Sequence, residues 1–123
     1  MQFSSVRLVS NDLPALADQY RKLLGVEPTG NADFVELRSG GLILAISTHQ
    51  AVISFNAGAA SPAANHSAIL EFEVTDVDAQ RSRLDGVFDL VMEPTTQPWG
   101  NRSTLFRDRD GNLINIFSRP SQA

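Results

Sequence analysis

Two stretches of the chain are copies of one another. VRLVSNDLPALADQY (6–20) and LEFEVTDVDAQRSRL (70–84) superpose at an offset of 64 residues, matching Val6 with Leu70, Leu8 with Phe72, Asp12 with Asp76 and Leu13 with Val77. An internal repeat constrains a fold more than any single residue does, because each copy is a supersecondary unit that must bury its apolar face against something. Each copy reads as strand, cap and helix. In the first, apolar residues at 13, 16, 17, 20, 23 and 24 follow the helical period, Asn11 or Asp12 can cap the start, and Gly25 can end the helix. In the second, Asp76 can cap a shorter helix that stops at Asp85 and Gly86.

Further strands are expected after each helix. In the first copy these are DFVELR, LILAIS across the Ser39-Gly40-Gly41 turn, and AVISFN; in the second, VFDLVM, STLFR and NLINIF. The result is an α+β chain of two βαβββ modules, module 1 at 1–57 and module 2 at 67–120, within a single domain of 1–123. The small, polar, proline-bearing segment between them reads as a linker, 58–66. A module of about sixty residues holds little core of its own, so the modules must pack together, either within the chain or with those of a second chain.

Composition narrows the function classes. With 42% hydrophobic and 20% charged residues, the chain is an ordinary globular one that folds without staples. The absence of cysteine excludes disulfides, thiolate metal sites and a cysteine nucleophile, and fits a reducing, cytoplasmic compartment. MQFSSVRLVS has no apolar run long enough for a signal peptide or a membrane span, so no membrane partner is expected. The net charge is -4 and the ten Lys and Arg residues are scattered, so nucleic acid is not expected as a partner either.

The end of the chain, TLFRDRDGNLINIF (104–117), reads as two strands about a turn, with Asp108 and Asp110 to shape it and Gly111 for a positive φ angle. A calcium loop of the EF-hand type needs its glycine sixth and an acid twelfth; here glycine is fourth and the twelfth residue is Arg119, so that reading fails. One residue in this hairpin stands out. Asn115 faces the same side of its strand as its apolar neighbours Leu113 and Phe117.

The start V-x-L-x-x-x-D-L in one copy, F-x-V-x-D-V-D in the other, and the close F-R-D-R-D-G-N-L-I-N-I-F together resemble the vicinal oxygen chelate superfamily, from about Phe3 to Phe117. That family includes glyoxalase I, extradiol dioxygenases, fosfomycin-resistance enzymes and bleomycin-resistance proteins. The resemblance implies that each module curls a mixed sheet into a cup, with its helix outside and a small-molecule cleft inside. In the metal-dependent members four inward strand positions carry the ligands, usually histidine and glutamate. Mapped onto this chain, those positions are Ser5, Ala45, Ile69 and Asn115. A divalent ion needs three or more imidazole or carboxylate donors, which these residues do not supply. The expectation is therefore no metal and no cofactor, with His49 and His66 as ordinary polar histidines.

Alternation along the strands sets the rest of the cleft. With Val6, Leu8, Leu70, Phe72 and Val74 facing the helices, Phe3, Ser5, Arg7 and Val9 turn inward in module 1, and Ile69, Glu71 and Glu73 in module 2. Arg7 and Glu71 either pair to fill the cup or meet a ligand, with Glu71 as the candidate catalytic residue, a general base. The stretch EPTTQPWGNRS (93–103) reads as a loop walling the cleft, where Trp99 stacks on a ligand and Arg102 reaches an anion, or where Trp99 simply anchors the loop. The ligand-binding set is thus Ser5, Arg7, Ala45, Ile69, Glu71, Trp99, Arg102, Asn115 and Phe117. In the shortest members of the family a partner chain closes the cup, which favours a homodimer. Three function classes follow: a metal-independent binding protein resembling the bleomycin-resistance members, a metal-free enzyme using Glu71 or Arg7, and a metal-dependent lyase or dioxygenase with non-standard ligands.

Overall fold

The structure, a computed structural model, describes residues 1–120. It resolves into two compact units, Met1–Ala64 and a second beginning at Asn65. Each unit is one module.

Module 1 opens with β1 (Ser5–Ser10) and α1 (Leu13–Leu24). Asp12 caps the helix, its carboxylate accepting from the Ala15 amide at 3.2 Å, and Gly25 ends it in the left-handed region. The helical stripe read from the sequence is the buried one, with Leu16 and Tyr20 fully enclosed. Burying side chains of that size stabilises the module by about 1.5–3 kcal/mol each. The helix packs on β1, β3 (Phe34–Ser39) and β4 (Leu42–Thr48), covering Leu8, Leu37 and Ile46. The sheet order is β1-β4-β3-β2, with β1 and β4 parallel and the rest antiparallel.

Two expectations for this module need correction. The first strand after α1 is β2 (Thr29–Gly30), only two residues long and not anticipated. Its signal was Gly30, whose φ is 146° and where any Cβ would lie 2.1 Å from the Phe34 carbonyl oxygen. Only glycine fits so close a hairpin. Asn31 tightens that turn, its side-chain oxygen accepting from the Asp33 and Phe34 amides.

The second correction concerns AVISFN, which is not a strand but most of α2 (His49–Phe55). Thr48 at the end of β4 accepts from the Ala51 amide at 3.1 Å and so starts a helix, and Gln50 bonds Ser54 one turn on. Only Val52 is buried, whereas Ile53 and Phe55 stay exposed. Local capping therefore outweighed the β-branched content of the segment.

Module 2 repeats the plan with β5 (Ile69–Glu73), α3 (Val77–Arg83), β6 (Asp89–Thr96), β7 (Arg102–Arg107) and β8 (Leu113–Ser118), in the order β5-β8-β7-β6. Asp76 caps α3 through the Ala79 amide at 3.0 Å, the counterpart of Asp12 and Ala15. Val77 and Leu84 bury against Phe106, Ile114 and Ile116 on the face the helix covers. The α+β class and both βαβββ modules are present, and neither sheet closes on itself. β6 reaches Thr96 and β7 begins at Arg102, so the segment read as a loop at 93–103 is the end of one strand, a short turn at 97–101 and the start of the next. Among the described residues, no helix is long and apolar enough to cross a membrane.

Candidate functional site

Each sheet has a face away from its long helix, here called the inner face, and strand register shows which side chains share it. In module 1, Ser5 stands opposite Ile43, and Arg7 opposite Ala45, with Glu36 beyond Ala45. In module 2, Ile69 stands opposite Leu113, and Glu71 opposite Asn115, with Leu105 beyond Asn115. The pairs Arg7–Ala45 and Glu71–Asn115 are thus equivalent places in the two copies.

Their surroundings differ. Arg7 is exposed, but its Nη2 donates to Asn56 Oδ1 at 2.6 Å and its guanidinium lies 5.9 Å from the Phe34 ring centre. Asn56 is the C-cap of α2, so the end of that helix lies on the side to which Arg7 points. Ala45 is buried, and the next inward residue along β4, Ser47, is 0% exposed with an Oγ that has no hydrogen-bond partner. Ser5 is exposed.

Module 2's inner face is more open. Ile69 is 49% exposed and Glu71 is exposed with no hydrogen bond or ion pair among the described residues. Beside Glu71, Asn115 Oδ1 is buried and has no hydrogen-bond partner among the described residues. A buried amide oxygen without a donor forfeits about 1–3 kcal/mol, so this atom is an acceptor waiting for one. Two residues further on, Phe117 is nearly covered at 8% exposure, with the Arg119 guanidinium 5.3 Å from its ring centre.

Two expected site residues fall elsewhere. Arg102 sits on the helix-covered face of β7, where it grips Asp78 of α3 with two bonds of 2.7 and 2.8 Å and reaches Thr96 Oγ1 at 3.1 Å. The hydrogen bonds from Arg102 hold the Asp78 carboxyl below its ordinary range. Its guanidinium is therefore engaged by a carboxylate of its own module. Alternation alone could have shown this, because Arg102 shares its parity with the buried Thr104 and Phe106. Trp99 lies in the β6–β7 turn with 69% of its surface exposed. Gln97 holds this turn, through its amide to the Asn101 carbonyl at 2.7 Å and its side chain to Ser103 Oγ at 3.2 Å. The same parity argument, applied further, would have found Ser47 in β4 and Arg107 in β7 as inward polar residues.

The residues do not fit the metal that the resemblance associates with such strands. The four mapped positions present a hydroxyl, a methyl, an aliphatic chain and a neutral amide. Among the described residues, no three His, Asp or Glu side chains come together as a metal would need. His49 opens α2 half-buried, and His66 is exposed just ahead of β5.

The family model described as Glyoxalase/Bleomycin resistance protein/Dioxygenase superfamily matches residues 2–116. Among solved structures, a glyoxalase-related enzyme from Fulvimarina pelagi superposes with a TM-score of 0.84 at 24% identity, covering 96% of this chain and 88% of its own. A glyoxalase/bleomycin resistance protein/dioxygenase family enzyme from Burkholderia phytofirmans PsJN gives 0.81 at 16% identity, covering 93% and 95%. TioX from Micromonospora sp. ML1 gives 0.70 at 21% identity, covering 97% and 99%. At these identities the likeness is one of fold. No curated protein sequence matches.

Proposed function

The chain belongs to the glyoxalase/bleomycin resistance protein/dioxygenase superfamily, and on that premise we propose that it binds a small organic molecule on the inner face of module 2, without a metal ion. The observation that carries this reading is the buried, unpartnered Oδ1 of Asn115 beside the unpaired carboxylate of Glu71. A neutral amide oxygen next to a carboxylate favours a ligand that brings N–H or O–H donors. Ile69 and Leu113, one step along the same strands, give an apolar neighbour to the rest of the molecule.

The working form we propose is a cytoplasmic homodimer without nucleic-acid or membrane partners. Two features support the dimer. β1 and β5 each form the edge of their sheet, and Phe3, Leu42, Phe55 and Ile69 are large apolar residues left exposed. A second reading, an enzyme in which Glu71 acts as a metal-free general base, is favoured by the same unpaired carboxylate.

Native mass spectrometry of the purified protein tests the proposal. It should show twice the 13.4 kDa chain mass with a bound organic molecule that is lost in Asn115→Leu. Added nickel, zinc or manganese should leave the melting temperature unchanged, whereas a true metal site at saturation would raise stability by about 3–4 kcal/mol. A large metal-dependent stabilisation, or retention of the molecule by the Asn115 variant, would overturn it. Conversion of the bound molecule, abolished by Glu71→Gln, would establish the enzymatic reading.

A further inference from the structure

One end of module 2's inner face is walled. There Ile69, Leu113 and Arg107 stand side by side in register on β5, β8 and β7. Together with residues 65–68 they line a shallow, open hollow of about 150 Å³, in which His66, Ser67, Ala68, Ile69 and Arg107 are exposed and Asn65 and Leu113 half-buried.

The wall is built, not draped. Asn65 Oδ1 accepts from the Ser67 amide at 3.3 Å and the Ala68 amide at 3.0 Å, while its Nδ2 donates to Asn112 Oδ1 at 3.2 Å. Asn112 in turn donates through Nδ2 to Asp108 Oδ2 at 2.8 Å, and both residues are buried in the β7–β8 turn. The segment ahead of β5 is thereby fastened to the closing hairpin by a chain of side-chain hydrogen bonds.

The lining has one sign of charge. No carboxylate belongs to it; its polar members are Asn65, His66, Ser67 and Arg107. Arg107 Nη1 donates to the Gly111 carbonyl at 2.9 Å, which orients the guanidinium and leaves Nε and Nη2 without a hydrogen bond among the described residues. His66 and Ser67 bring further donors, and Ala68, Ile69 and Leu113 supply aliphatic surface.

We infer that this pocket takes the carboxylate end of a small organic acid, with Arg107 as the binding residue and His66 and Ser67 as its helpers. The guanidinium fork matches a planar carboxylate through two parallel bonds, and the aliphatic side chains receive the carbon attached to it. Arg107 pairs with Leu113, and Asn115 lies two residues beyond, so the two are diagonal neighbours roughly 7–8 Å apart along the face. An acid seated on Arg107 would extend toward Asn115 and Glu71, which select N–H or O–H donors. The ligand class is thus an organic acid bearing a donor group about that far from its carboxylate. The donor half rests on the function proposed above; the anion half does not.

Acetate, acetamide and inorganic phosphate, titrated against the full chain at constant ionic strength, test it by amide NMR shifts. Acetate should give saturable shifts at Ser67, Ala68 and Leu113, acetamide none, and phosphate weaker binding than acetate. Arg107→Gln should weaken acetate by about tenfold or more, and Arg107→Lys by less, since it keeps the charge and loses the fork. Asn115→Leu should leave acetate binding intact. Acetate shifts that fail to saturate, or equal affinity in wild type and both Arg107 variants, would overturn the site; tighter phosphate binding would overturn the carboxylate assignment. Acetate binding that persists while Asn115→Leu retains its co-purified molecule would leave this site standing and sink the function proposed above. The opposite pattern would sink only this inference.

Discussion

Arg7 beside Ala45 in module 1 and Glu71 beside Asn115 in module 2 occupy the same two places in two copies of one plan, yet they have come to opposite ends. In module 1 the charge is engaged by Asn56 at the end of α2, and the small residue next to it is buried. In module 2 the charge is unpaired and the amide beside it has a buried oxygen without a donor. Strand, cap and helix match in both copies and hold the core, whereas the inner faces differ. In one face the charged group is engaged by its own chain, and in the other it is not.

The comparison can be broken at three strengths. If the two helix-covered cores are equivalent, Leu16→Ala in module 1 should cost about 2–5 kcal/mol and Phe106→Ala in module 2 about 3–5 kcal/mol, both side chains being fully buried. Urea unfolding measures both, and a loss confined to one variant would end the equivalence. Asp12→Ala and Asp76→Ala remove matching helix caps and should each cost about 1 kcal/mol, read from the same denaturation midpoints. A large inequality there would mean that one helix is held by packing alone.

The smallest effect concerns acid. Hydrogen bonds from Arg21 and Lys22 lower the Asp18 carboxyl in module 1, and those from Arg102 lower Asp78 in module 2. A carboxyl depressed in the folded state stabilises the fold above its ordinary value of 3.8 and loses that contribution as pH falls through the depressed value. Asp18→Asn and Asp78→Asn should each therefore flatten stability below about pH 4 and leave its pH slope near neutrality unchanged, as followed by melting temperature against pH. Unequal flattening would show that the Arg102 pair, which ties helix to sheet, counts for more than the pair within one helix.

Much of this architecture could be read from the chain because local rules and global fold agree at the repeat. Asp12 and Asp76 cap where the helical periods begin, and the turn at Asp108 to Asn112 closes as its residue types require, the Gly111 amide bonding the Asp108 carbonyl at 3.0 Å. The reading went astray where a short-range device opposed the pattern. Thr48 turned a β-rich run into helix, and Gly30 made a hairpin too short to show any periodicity. At the candidate site, alternation puts Ser5, Arg7, Ile69, Glu71, Asn115 and Phe117 on inner faces, and the family resemblance adds Ala45. Arg102 opens β7, so its orientation follows strand parity, which a loop reading of 93–103 does not supply. The unpartnered state of Asn115 Oδ1 is a matter of geometry that no one-dimensional pattern contains.

The hydrogen bond from Asn65 to Asn112 joins residues 47 positions apart. It also has a consequence for the order of folding. Hairpin β7–β8 can form early from nearby residues, but the stretch ahead of β5 has nothing to fasten to until that turn exists and β5 has paired with β8 across a long loop. The wall at Asn65–Ala68 should therefore assemble after that pairing and open before it. The amides of Ser67 and Ala68, which among the described residues donate to the Asn65 side chain, should exchange with solvent faster than those of β8. A ligand that lodges behind that wall would be expected to slow them.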